Sequence, residues 1–275
     1  MSIKIIAKDL DGTLMAPDHM SITDRTMAAL IKAHEKGVKL AISKGRTLSL
    51  IKNVWDMVPF IDYIIYSDGA SVYDCNAKKD VFREHIPADK TQKIIEIFNR
   101  HPMFFNVYND GKIYMKKMYD ESFRKRASIP EDFFNFYIKN TVPCKDIQKE
   151  FEGKSAELCV AYLMDEECKK EIISFMESIG GLSYMSSIMN NIEIVSSKAG
   201  KGSALKAICE INGFTAAEAM SFGDALNDCS MLEYASYSFA MANGNDACKK
   251  TAKYITDSNA EDGVAKMIEK YVLNE

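Results

Sequence analysis

Two short acidic clusters far apart in the chain carry the strongest chemical signal. Asp9-Leu10-Asp11-Gly12-Thr13-Leu14 sets a pair of carboxylates around one apolar residue, and Gly223-Asp224-Ala225-Leu226-Asn227-Asp228 sets another pair with an amide beside it. Carboxylate oxygens are hard ligands, and Mg²⁺ commonly takes one or two of them together with waters and phosphate oxygens. A calcium loop needs a glycine at its sixth place and a bidentate glutamate at its twelfth. Counting from Asp9, the twelfth place holds Met20, so that reading fails.

Two further segments could handle an anion. Lys201 stands beside Gly202 at the start of a predicted helix, where an ammonium and the positive end of the helix would act together on a phosphate. The Walker pattern does not apply, because Gly202 follows Lys201 where Ser or Thr is required and Val195 holds the place of the first glycine. Ser43-Lys44-Gly45-Arg46 closes a predicted strand and opens a helix, so its amides and cations suit an anion cradle. Taken singly, these features read as an acid-rich turn, a helix cap, a surface lysine and a strand-to-helix turn. It is the pair of acidic clusters, each directly after a strand, that points to one shared site. His19, His34, His85 and His101 lack metal-binding spacing, and neither G-x-S-x-G nor G-x-G-x-x-G occurs.

The elements that would position these residues follow an α/β grammar. Ile3 to Ala7, Val38 to Ser43 and Tyr63 to Tyr66 are short apolar runs of the kind buried on both faces of a parallel sheet. Between them lie helical stretches, one opened by Ser21 with Asp24 in a capping box and stopped at Gly37, the other over about Thr47 to Met57. The alternation returns after residue 195, with helices over Gly202 to Ile211 and Asn227 to Tyr234 and strands over Ala219 to Phe222 and Ser238 to Ala242, then helices near 246–252 and 262–272. The middle differs. Phe104–Tyr108 and Lys112–Met115 flank Asp110-Gly111, a strong hairpin signal. Strand-like Glu157 to Leu163 and Ile192 to Val195 alternate with helical Asp89 to Arg100 and Glu166 to Ile179. The aromatic runs Phe104-Phe105 and Phe133 to Tyr137 read as packing.

Composition bounds the function. The chain has 275 residues, 47% hydrophobic and 27% charged, with a formal net charge of -4. This balance offers no field for a nucleic acid. Seven cysteines without a C-x-x-C pair read as reduced thiols, and no leader or membrane-spanning run is apparent. A cytoplasmic enzyme with neither nucleic-acid nor membrane partners is the expectation.

Taken together, the motifs resemble the haloacid dehalogenase (HAD) superfamily, in particular its Cof-type, subclass IIB sugar-phosphate phosphatases. Asp68-Gly69-Ala70 resembles the Asn-Gly-Ala usual before that family's cap, and Glu261-Asp262-Gly263-Val264 resembles its C-terminal signature. The resemblance implies a Rossmann-like parallel-sheet core from residues 1–82 and 191–275, with 83–190 inserted as an α+β cap domain that selects the substrate. Asp9 would be the nucleophile, Asp11 the acid and then base, and Lys201 the charge-stabilising cation. Asp9, Asp224 and the main-chain carbonyl of Asp11 would hold Mg²⁺, with Asp228 ordering the metal's surroundings. Asn227, Ser43, Lys44, Gly45 and Arg46 would bind phosphate. Lys44 departs from the pattern, since it stands where the family places Thr or Ser. Either its ammonium replaces that hydroxyl or a shifted turn presents Ser43. The implied activity is Mg²⁺-dependent hydrolysis of a small phosphorylated metabolite, a sugar phosphate foremost, through a phospho-aspartate. A phosphometabolite-binding regulatory protein with weak turnover and a phosphomutase are the alternatives.

Overall fold

A computed structural model describes residues 2–116, 124–125, 131–162, 164–186 and 190–275. Leu163 and the side chain of Phe133 lie outside this set. The chain first lays down β1 (Ile5–Asp9), β2 (Lys39–Ser43), β3 (Tyr63–Tyr66), β4 (Ser71–Asp74) and β5 (Lys79–Arg83). It then forms β6 (Phe104–Asn109), β7 (Lys112–Lys116), β8 (Thr141–Cys144), β9 (Leu158–Tyr162), β10 (Leu182–Met185) and β11 (Asn191–Ser196). β12 (Ala219–Gly223), β13 (Tyr237–Met241) and β14 (Tyr254–Thr256) complete it.

These strands form two sheets in an α/β fold. The eight-stranded sheet runs β14-β13-β12-β1-β2-β3-β4-β5, and the six-stranded one β10-β11-β9-β6-β7-β8. In the larger sheet β1 pairs in parallel with both β2 and β12, while β4 turns back antiparallel on β3. The early strands therefore spread to one side of β1 and the late strands to the other. That reversal makes the carboxyl end of β1 a topological switch point, where open parallel sheets form a ligand crevice.

Period two along each strand decides which side chains share a face. Ile5 and Ala7 of β1, Ala41 of β2 and Ile65 of β3 pack against Ala204, Leu205, Ile208 and Cys209 of the helix Lys201–Asn212. Asp9 continues the Ile5–Ala7 series, so it emerges on the face covered by that helix. The first residue of the helix is Lys201. The helix Asp24–Glu35 is capped by Thr23, whose hydroxyl accepts from Thr26 N at 3.2 Å. Ser21 is not the cap, because Asp18 draws it into a local turn by accepting from its amide and its hydroxyl.

The chain divides into two compact bodies, one of residues 1–45, 54–82 and 200–275, the other of 46–53 and 83–199. This differs from the sequence boundary at 190/191 for a physical reason: β11 pairs antiparallel with both β9 and β10 of the smaller sheet. Residues 46–53 also group with the second body, Ser49 N donating to Gly111 O at 3.0 Å. Within that body β6 and β7 form a hairpin whose turn residues, Asp110 and Gly111, have φ of 48° and 67°. Its core gathers Ile94, Phe98, Phe105, Val107, Ile172 and Ile194.

At Gly69 in the first body a side chain has no room. Gly69 has φ +86°, and a β-carbon there would meet the carbonyl carbon of Gly200 at 2.2 Å, whereas Gly37, at φ +82°, faces open space. Gly37→Ala is expected to cost about 1–2 kcal/mol, the ordinary left-handed penalty. Gly69→Ala should cost at least ~2 kcal/mol more, because backbone must separate from backbone. Urea unfolding of the two variants checks this, and equal losses would contradict it.

Candidate active site

Three strand ends meet at the switch point. β1 ends at Asp9, and its tight exit passes through Gly12 at φ +77°. A β-carbon on Gly12 would stand 2.5 Å from Asp224 Oδ2, so only glycine lets this turn close on the loop after β12. Thr13 locks the approach, its hydroxyl donating to Asp224 Oδ1 at 2.6 Å. Asn243 holds the turn from the other side by donating to the Gly12 carbonyl at 2.7 Å.

Lys201 lies at the centre, 1% exposed, and donates to Asp9 Oδ1 and Asp228 Oδ1, both at 2.6 Å. Asp228 Oδ2 accepts from the amides of Asp224 and Ala225, each at 2.9 Å, which shapes the acidic loop. Cys248 supports the same loop, its thiol donating to Ala225 O at 2.9 Å. All seven cysteines are free. Asp9, Asp224 and Asp228 each offer one carboxylate oxygen within 4.8 Å of the others. Opposite ligands of an octahedral Mg²⁺ lie about 4.1 Å apart. The donor set is hard oxygen and the spacing is close to that span, so these residues fit a divalent cation.

Charge supports the fit. Burial pushes the Asp9 carboxyl up to about 7; Lys201 opposes the shift and Asp228 adds to it. Burial also raises Asp224, with the Thr13 hydrogen bond acting against it and Asp228 again raising it. Burial works against the Lys201 charge, but Asp228 and Asp9 outweigh it, so its pKa is raised. Lys201, with a smaller contribution from Lys44, thus serves an excess of buried negative charge, which a cation would relieve.

The remaining predicted residues fall in several places. Ser43 is the register partner of Asp9 on β2, and its buried hydroxyl has no hydrogen-bond partner among the described residues. Lys44 is 8% exposed and forms an ion pair with Asp11 Oδ2, while Asp11 Oδ1 lies 3.6 Å from His19 Nδ1. Asp11 is therefore not among the three clustered carboxylates; its side chain turns to cations instead. Gly45 lies against Asp68, and Asn227 Nδ2 donates to Asp68 Oδ1 at 2.9 Å. Arg46 groups with the second body. Sequence reasoning missed Thr13 and Asn243 as site residues. Thr13 stood inside the first motif, whereas nothing local marked Asn243.

A parallel sheet with acids and a buried lysine at the carboxyl end of its central strand is the framework of a HAD-type hydrolase. The chain belongs to the haloacid dehalogenase-like hydrolases, whose family model matches residues 6–268. It is 30% identical over 273 residues to the 5-amino-6-(5-phospho-D-ribitylamino)uracil phosphatase YcsE of Bacillus subtilis, covering 99% of this chain and 97% of that protein. A haloacid dehalogenase-like hydrolase from Bacteroides thetaiotaomicron superposes with a TM-score of 0.82 at 25% identity, covering 98% of this chain and 99% of its own. A HAD subclass IIB sugar phosphatase superposes with a TM-score of 0.81, also at 25% identity, over 98% of each chain. The protein is a phosphatase of this superfamily. Among the described residues, no helix is long and apolar enough to cross a membrane.

The Asp9 shift gives a measurable consequence. A carboxyl raised in the folded state contributes stability that is full below its ordinary 3.8 and fades as pH rises through about 7. A cation binding the ionised form reverses that loss. Lys8, buried and with no partner for its Nζ among the described residues, is drawn down to about 7 by burial, with Asp62 pulling it up, and adds a pH trend of its own. The quantity to compare is therefore the rise in Tm on adding Mg²⁺. It should be clearly larger at about pH 8 than at about pH 5.5, and equal rises would contradict the account.

Proposed function

We propose that the protein hydrolyses a phosphomonoester of a small sugar-like metabolite, with Asp9 as nucleophile, Mg²⁺ as cofactor and a phospho-aspartate as intermediate. The observation that carries this reading is Asp9 itself. Its Oδ1 is fixed by Lys201, and Thr13 ties its loop to the neighbouring acid Asp224. An ionised carboxylate so held can attack phosphorus, forming the acyl phosphate as the ester P–O bond breaks. Asp11 gives a proton to the departing alkoxide and then takes one from the water that cleaves the acyl phosphate. Lys201 counters charge on the transferring group, and the Ser43 hydroxyl and the Lys44 ammonium are donors for its oxygens. Asn227, held by Asp68, orders the phosphate.

Mg²⁺ bound through Asp9, Asp224 and the main-chain carbonyl of Asp11, with Asp228 behind them, would offset repulsion between the nucleophile and the anionic substrate. The body 46–53 plus 83–199 is proposed to select the leaving group, as caps do in this superfamily. A phosphorylated ribityl or sugar alcohol is the first substrate class to try, since that is the chemistry named for YcsE. The Lys44–Asp11 ion pair favours a second reading, a phosphometabolite sensor with weak turnover, because it occupies the proton carrier.

Release of inorganic phosphate from a panel of phosphorylated sugars, sugar alcohols and ribitylaminopyrimidines, with and without Mg²⁺, tests both readings. Hydrolysis should require the ion, and Asp9→Asn should lower kcat by more than about 10³-fold. Tight substrate binding without metal-dependent phosphate release would favour the sensor, and undiminished turnover by Asp9→Asn would remove Asp9 from the chemistry.

A further inference from the structure

The end of β2 holds two cations of different standing. Lys201 is enclosed and already shared by two carboxylates. The Lys44 ammonium has a single hydrogen-bonding partner among the described residues, Asp11, and that carboxylate is 34% exposed. The Lys44 main chain cannot shift readily. Its amide donates to Ile65 O at 2.9 Å and its carbonyl accepts from Asp68 N at 3.4 Å, so β3 and the turn that follows it both hold its backbone. Its ammonium is nevertheless within electrostatic range of Asp9 and Asp224, whose charges it favours. A lysine head group is a compact point charge with three donors on a flexible stem. Here the stem can re-aim the head group while its root stays fixed.

We propose that Lys44 is a phosphate-responsive clamp: it holds the Asp11 carboxylate while the site is empty, and transfers to the phosphoryl group when substrate binds, releasing Asp11 from that ion pair. The inference rests on the phosphatase reading, with Asp11 as the proton carrier. Three observations favour the exchange. A phosphate brings more charge than a carboxylate and several oxygens, so it outcompetes Asp11 for the ammonium. Asp11 is exposed enough for water to replace the lost partner, and His19 stands 3.6 Å from its other oxygen. The Ser43 hydroxyl, at the register position of Asp9 and without a partner among the described residues, is a second donor at the end of β2, the strand end from which Lys44 extends. The hydroxyl that the superfamily usually places at this position cannot act this way, since it has no charge with which to hold Asp11. The exchange makes proton carriage conditional on an occupied site.

A double-mutant cycle on phosphate binding reads this directly. Inorganic phosphate is titrated calorimetrically, with Mg²⁺ present, into the full-length wild type, Asp11→Asn, Lys44→Met and the double variant. With a clamp, wild type must break the ion pair to bind, so Asp11→Asn tightens phosphate binding about 10-fold when Lys44 is present. With Met at 44 the same change tightens it less than about twofold. Lys44→Gln in place of Met repeats the comparison with a polar side chain, should the apolar variant fold poorly. An equal or larger gain in the Lys44-less background overturns the proposal, because it means that Lys44 only shields Asp11 or does not touch phosphate. A protein that shows the coupling but hydrolyses no phosphomonoester keeps the clamp and loses the phosphatase mechanism. An active phosphatase without the coupling loses the clamp alone.

Discussion

Negative charge crowded into a water-poor place is the constraint from which the rest of this structure follows. Asp9 and Asp228 are buried and share the single ammonium of Lys201, while Asp224 comes within 4.8 Å of both. Carboxylates do not gather this way for stability, since desolvation alone opposes it and their mutual repulsion adds to the cost. The fold holds them with backbone amides, a threonine hydroxyl and a glycine too small to keep the loops apart. The arrangement is costly without a cation and apt for one, and strain of this kind collects at functional sites.

Architecture explains why the acids can be so far apart in sequence. β1 and β12 are neighbours in the sheet, although the whole second body intervenes between them along the chain. The strand register places Asp9 beside Ser43, and the helix on that face brings Lys201 to the same rim. The chemistry therefore depends on non-local pairing rather than on any one loop. The central strand carries Asp9 at its end, and its two neighbours lead into Ser43 and Lys44 on one side and into Asp224 and Asp228 on the other.

Much of this was legible in the residues. Short apolar runs marked β1 to β3, Asp110-Gly111 marked the hairpin, and the two acidic motifs fell at strand ends. What escaped was set by partners distant in sequence. β11 has the same apolar pattern whether it joins one sheet or the other, and only its pairing with β9 and β10 decides. Asn243 reaches Gly12 across most of the chain, and Lys44 finds Asp11 only because β1 and β2 end side by side. The misplaced cap at Ser21 was a local failure: Asp18 competed for that serine and left Thr23 to cap the helix.

The central claim is that acids from the two ends of the chain hold one divalent ion beside the nucleophile. Titration with Mn²⁺, followed by the loss of its free electron paramagnetic resonance signal, tests that most directly. One ion should bind per chain, and Asp224→Asn should weaken it by about 10-fold or more. Binding of unchanged strength after that substitution, or no stoichiometric binding by the wild type, would contradict the account.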